Sequence, residues 1–157
     1  MKLRLFLIFY IFSLFNLAQE PISFTTSVKK VSDDTYELIT NSEIENNWRL
    51  YSQNLIDGGA IPTEFVFNQS DNFVLIGNVK ESESITKFDP IFGINQSYFI
   101  NSSSFTQSIK VKSSNLSTIK AIIAYQACDD MVCIFRESEL IFNLDGSIST
   151  IVNDDVN

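Results

Sequence analysis

The chain has 157 residues, 45% of them hydrophobic and 19% charged, which is the size and balance of one globular domain. It has no histidine and two cysteines, which excludes imidazole general bases, Ser-His-Asp and Cys-His nucleophile systems, imidazole zinc sites and a four-cysteine metal site. A formal charge of −8 repels phosphate backbones and argues against nucleic acid as a partner, leaving redox chemistry at two thiols, or binding.

The chain begins with a short basic stretch, Lys2 and Arg4, followed by an apolar run from Leu5 to Leu17 that only Ser13 and Asn16 interrupt. Ala18 closes it and Gln19-Glu20-Pro21 opens polar sequence. This order of basic region, short apolar core and small residue is that of a secretory signal peptide, expected over residues 1–18. An uncleaved anchor is the alternative, but the run is short for a bilayer span, which needs about 20 apolar residues. Without Lys2 and Arg4 the chain keeps nine basic and nineteen acidic residues, a net charge of −10. No later stretch is long and apolar enough to span a membrane, so the mature protein is expected to be exported, periplasmic or secreted. An oxidising compartment permits disulfides.

From residue 20 onward period-two alternation dominates. Strands are expected at Ile22–Val31, Thr35–Asn41, Trp48–Gln53, Glu64–Asn68, Phe73–Lys80, Gln96–Ile100, Thr118–Ala127 and Ile134–Leu144. The clearest alternation puts Phe105, Gln107, Ile109 and Val111 on one face and Thr106, Ser108, Lys110 and Lys112 on the other. Turn residues separate the strands at Ser32-Asp33-Asp34, Asp57-Gly58-Gly59, Gln69-Ser70-Asp71 and Ser113-Ser114-Asn115. There is no long helical period. The expected fold is all-β, an immunoglobulin-like antiparallel β-sandwich, with most of the fourteen Phe in its core. Residues 19–145 form the domain, and 146–157 are read as a frayed polar tail.

The two cysteines lie in Tyr125-Gln126-Ala127-Cys128-Asp129-Asp130-Met131-Val132-Cys133, between two expected strands. Cys128 and Cys133 thus bracket a hairpin turn, where their Cβ atoms can reach the roughly 3.5–4.5 Å that a disulfide requires. As a staple the pair is poorly placed: chain-entropy arithmetic for so short a loop gives about 2 kcal/mol, and less where the strands already pair. Asp129 and Asp130 disfavour a nearby thiolate, which suits a disulfide that is attacked better than a thiol that attacks first. The residues alone leave staple and reactive pair both open, as they leave Asp-Asp open as a plain solvated turn.

Tyr125-Gln126-Ala127-Cys128 with Cys133 close behind resembles the cysteine segment of the amino-terminal periplasmic domain of the thiol:disulfide interchange protein DsbD. Trp48-Arg49-Leu50-Tyr51-Ser52-Gln53, Gly59-Ala60-Ile61-Pro62-Thr63-Glu64-Phe65 and Phe88-Asp89-Pro90-Ile91-Phe92-Gly93 are similar to other stretches of that domain. The resemblance covers roughly residues 20–145. It implies an immunoglobulin-like sandwich whose redox pair, here Cys128 and Cys133, accepts electrons from a thioredoxin-like redox protein or membrane electron carrier and passes them to oxidised exported proteins. It further implies a cap loop over the cysteines in the segment containing Asp89, with Ile91 or Phe92 as the lid and Phe92 favoured for its size. Tyr51 is implied as an aromatic beside the site, and Tyr125 directly precedes the cysteine segment; core residues with a satisfied hydroxyl are the equal alternative for both. No metal or cofactor is expected. Prolines usual after the second cysteine are replaced by Ile134-Phe135-Arg136-Glu137, and the cysteine spacing is short. Full-length members continue into a membrane domain and a thioredoxin domain. Neither is in this sequence, so the resemblance implies a stand-alone component of protein-disulfide reduction served by a separate chain. The alternative from another class is a secreted β-sandwich binding or accessory module with a structural disulfide.

Overall fold

A computed structural model describes residues 20–151. The expected leader and the end of the expected tail lie outside the described residues. Eleven strands run in chain order: β1 (Ile22–Lys30), β2 (Thr35–Ile44), β3 (Arg49–Tyr51), β4 (Glu64–Phe67), β5 (Phe73–Glu81), β6 (Ile85–Asp89), β7 (Ile94–Phe99), β8 (Ser102–Val111), β9 (Thr118–Cys128), β10 (Cys133–Asn143) and β11 (Ser149–Ile151). One sheet has the order β11-β1-β2-β8-β5, the other β10-β9-β3-β7-β6 with β4 also paired to β9. All of these pairings are antiparallel. This is the immunoglobulin-like sandwich that the alternation predicts. Among the described residues no helix is long and apolar enough to cross a membrane.

Alternation explains the layers. In β8, Phe105, Gln107 and Ile109 are buried as expected. Gln107 is tolerated on the core face because its amide donates to the carbonyls of Ser108 (2.7 Å) and Ile76 (3.2 Å). In β9, Ile119, Ala121, Ile123, Tyr125 and Ala127 face inward. They meet Phe24, Leu38 and Phe105 of the facing sheet and, with Leu140 and Phe142 of β10, form one apolar cluster. Aromatic edges lock it: Phe24 lies 5.1 Å from Tyr125 and Phe99 lies 5.6 Å from Phe105.

The structure departs from the sequence reading in three places. β6 is a strand that the pattern hides, because its polarity is inverted: Phe88 points to solvent at 63% exposure while Asp89 is buried. The polar segment after Asp145 does not fray at once. Asp145 accepts the Ser147 N–H (2.8 Å), and Ser149, Thr150 and Ile151 pair with β1 as β11. Finally, the phenylalanines are not all core: of the fourteen, Phe6, Phe9, Phe12 and Phe15 fall in the expected leader, outside the described residues, Phe88 and Phe135 are exposed, and Phe92 packs on the outer face of the second sheet.

Candidate functional site

Among the described residues β9 and β10 form the longest pairing, in register from Thr118 with Asn143 to Cys128 with Cys133. That register places the two cysteines directly opposite each other at the hairpin tip, with Cα atoms 4.1 Å apart, and they are joined by a disulfide. The pair is asymmetric: Cys128 is fully buried and Cys133 is exposed.

The tip owes its shape to Asp129. Its carboxylate accepts the backbone N–H groups of Met131 and Val132, both at 2.7 Å, and its own N–H donates to the Val132 carbonyl at 3.0 Å. These donors hold the Asp129 carboxyl below the usual carboxylate range. From β3, Arg49 stands opposite Cys128 in register. Its Nη2 donates to the Asp129 carbonyl (3.1 Å) and to the Asp130 carboxylate (3.0 Å), and its guanidinium lies 5.8 Å from the Tyr98 ring centroid. Both acids of the turn are thereby engaged.

Beside the disulfide, the outer face of the second sheet carries a second apolar cluster: Tyr51, Ala60, Tyr98 and Cys128, with Leu55, Ile85 and Phe92 packed against it. Tyr51 is edge-on to Phe92 at 5.7 Å and to Tyr98 at 6.3 Å. Its hydroxyl donates to Asp89 Oδ2 at 2.6 Å. Burial, then the neighbouring Asp89, push the Tyr51 hydroxyl's pKa well above its ordinary value, so it stays a donor. The other Asp89 oxygen accepts the Ile91 N–H (2.9 Å), and the Asp89 carbonyl accepts the Gly93 N–H (2.8 Å). Gly93 has φ of +70°, a conformation that glycine adopts without strain. One buried carboxylate thus shapes the β6–β7 turn and ties it to Tyr51. Of the two lid candidates, Phe92 packs into this cluster and Ile91 is exposed.

Tyr125 is not there. Successive residues of a strand point to opposite faces, so Tyr125 lies in the sandwich core against Phe24, while Gln126 and Cys128 share the outer face. Sequence reading placed Tyr125 next to the cysteine along the chain and missed Gln126. The amide of Gln126 reaches Cys128 Sγ (3.8 Å), and its oxygen accepts the Ile61 N–H (2.6 Å). The residue two positions before a cysteine on a strand was the available signal. Arg49, Tyr98 and Gln96 left none, because they arrive by strand pairing. Gln96 is buried under the β3–β4 loop so closely that a Cβ on Gly59 would come within 1.7 Å of its amide nitrogen. Among the described residues no group of three or more His, Cys, Asp or Glu side chains could hold a metal ion.

Fold and site together define a class: an immunoglobulin-like β-sandwich with a disulfide-forming cysteine pair at the tip of a hairpin. Within that class the chain belongs to the family described as thiol:disulfide interchange protein DsbD, N-terminal, which matches residues 16–145. The family takes part in thiol–disulfide interchange. The N-terminal periplasmic domain of ScsB from Proteus mirabilis has a similar fold at 14% identity, TM-score 0.64, over 84% of this chain. This chain spans only 50% of that one. The Neisseria meningitidis DsbD N-terminal domain in its reduced form is similar at 15% identity and TM-score 0.56, covering 84% of this chain and 91% of that one. No curated protein matches the sequence.

Proposed function

We propose that this chain is an exported thiol–disulfide exchange protein that takes electrons from a thioredoxin-like partner through Cys128 and Cys133 and passes them to oxidised exported proteins. The observation that carries the reading is the asymmetry of the disulfide, one residue buried and one exposed. Exchange proceeds by thiolate attack on a disulfide sulfur, so the exposed Cys133 is the sulfur that a partner reaches. In that step the partner thiolate bonds to Cys133 Sγ, the Cys128–Cys133 bond breaks, and its electron pair goes to Cys128 Sγ. The partner's second thiolate then attacks the partner's own sulfur in the mixed disulfide and releases Cys133 as a thiolate. Two electrons have passed to the pair, and the partner leaves oxidised. Running the same steps backward against an oxidised target delivers them onward.

The surroundings support this reading. Met131 is 94% exposed, and Val132, Ile61 and Ile91 are exposed too. In an acidic chain this apolar ground around the pair suits a protein partner better than a small charged thiol. Phe92, anchored through Tyr51 and Asp89, is a lid that keeps unspecific oxidants from Cys128. The leader over residues 1–18 sends the chain to the periplasm or outside the cell, where a disulfide persists.

The test is a trap. Cys128→Ser with Cys133 activated as the mixed disulfide with thionitrobenzoate should lose that thiolate to a thioredoxin-like protein carrying a single active-site cysteine and accumulate the protein–protein mixed disulfide, whereas Cys133→Ser activated in the same way at Cys128 should not. Equal trapping by both variants, or by neither, would overturn the reading.

A further inference from the structure

When Cys133 is attacked, the displaced sulfur of Cys128 becomes a thiolate in a buried position. A better-stabilised leaving thiolate leaves faster. The charged and titratable groups around it come from several elements: Asp129 and Asp130 from its own hairpin, Arg49 and Tyr51 from β3, Asp89 from β6 and Tyr98 from β7. Glu64 and Glu137 pair in register with Ala124, further down the same strand. Acids outnumber bases, and Arg49 Nη2 is committed to the Asp129 carbonyl and the Asp130 carboxylate.

We propose that Gln126 is a catalytic hydrogen-bond donor that receives the negative charge forming on Cys128 Sγ as the disulfide opens. This rests on the exchange function proposed above. The side-chain nitrogen lies 3.8 Å from the sulfur. The amide is oriented by its other end, because the oxygen accepts the Ile61 N–H at 2.6 Å and a flipped amide would set two donors against each other there. The period of the strand puts Gln126 and Cys128 on one face, and Phe135 stands opposite Gln126 in register. Against a neutral disulfide this contact is weak. Against a thiolate it becomes charge-assisted, shorter and stronger. The donor is therefore placed for the charge that develops and not for the resting state, which is how a preorganised site favours bond breaking.

The test uses the full chain carrying Cys133→Ser, so that Cys128 is the one thiol. Its thiolate is followed by ultraviolet absorbance against pH, with Gln126 intact, with Gln126→Met and with Gln126→Glu. Glutamate keeps an oxygen for Ile61 but offers no N–H. Both substitutions should raise the pH at which Cys128 ionises by about one unit. In the chain with both cysteines they should slow reduction by dithiothreitol about tenfold. Unchanged ionisation in both variants would overturn the proposal. Should the variants fail to fold, the side-chain amide resonances of native Gln126 are followed in the Cys133→Ser chain, and they must move as Cys128 ionises. Resonances that stay still would also overturn it. None of these readouts involves a partner protein, so failed exchange with thioredoxin-like proteins would count against the proposed function alone.

Discussion

On the inner face of the second sheet, β9 presents Ile119, Ala121, Ile123, Tyr125 and Ala127 to the opposite sheet. On the outer face the same strand presents Lys120, Ile122, Ala124, Gln126 and Cys128. The inner residues are buried by a whole second layer, and shape and apolar area suffice to hold them. The outer residues are covered only near the hairpin tip, by the β3–β4 loop and the β6–β7 turn. That cover is held by specific polar contacts: Tyr51 to Asp89, Thr63 to the Tyr51 carbonyl, Gln126 to Ile61. The difference separates stability from chemistry within one strand. Disturbing the inner face should unfold the domain, and disturbing the outer face should change how the disulfide reacts.

The sharpest break of this comparison is at the cysteines. Replacing Cys128 or Cys133 by Ser should abolish disulfide transfer, while the circular dichroism spectrum stays native and stability falls by no more than about 2 kcal/mol. Collapse of the fold would make the pair a staple. Next comes an inner-face control, Phe105→Ala. It should cost about 3–5 kcal/mol in urea unfolding and leave the reduction potential unchanged, because its ring packs on Phe65 and Phe99 in the inner core cluster and takes no part in the outer one. A smaller effect is expected of Tyr51→Phe, which removes a donor from buried Asp89. About 1.5–3 kcal/mol is expected, together with faster reaction of the disulfide with small thiols as the Phe92 turn loosens. Unaltered thiol access would mean that Phe92 shields nothing.

The smallest effect concerns acid. The Asp129 carboxyl is held below its ordinary value by the Met131 and Val132 N–H groups. Its contribution to the tip is present above the unfolded carboxylate value, about 3.9, and is lost as pH falls through the lower folded value. Asp129→Asn should therefore be slightly less stable than the parent at neutral pH, with the gap closing in acid. A gap that widened in acid would contradict this account of the turn.

Much of the inner face was legible from the sequence. Alternation in β8 and β9 depends on side chains that differ in kind, so Phe105, Gln107 and Ile109 announced their side. The cysteine pair was legible because a hairpin reads locally. β6 was not, since Phe88 faces water and Asp89 is buried, the reverse of what a half-buried strand writes. The outer face was legible only in part. Asp89, Phe92 and Tyr51 entered through a resemblance, and Arg49 and Tyr98 reach the site through pairing between strands distant in the chain, whereas Gln126 lies two residues before Cys128 on the same strand and was overlooked. Tyr125 went astray for a local reason: nearness along a strand is not nearness on one face.

The most direct measurement of the central claim is the reduction potential of the Cys128–Cys133 pair, titrated against a thiol redox buffer. A pair built to exchange should fall between about −180 and −280 mV, among the disulfide-exchange proteins. A value below about −300 mV, the range of structural disulfides, would contradict the account and leave a β-sandwich stapled at one hairpin.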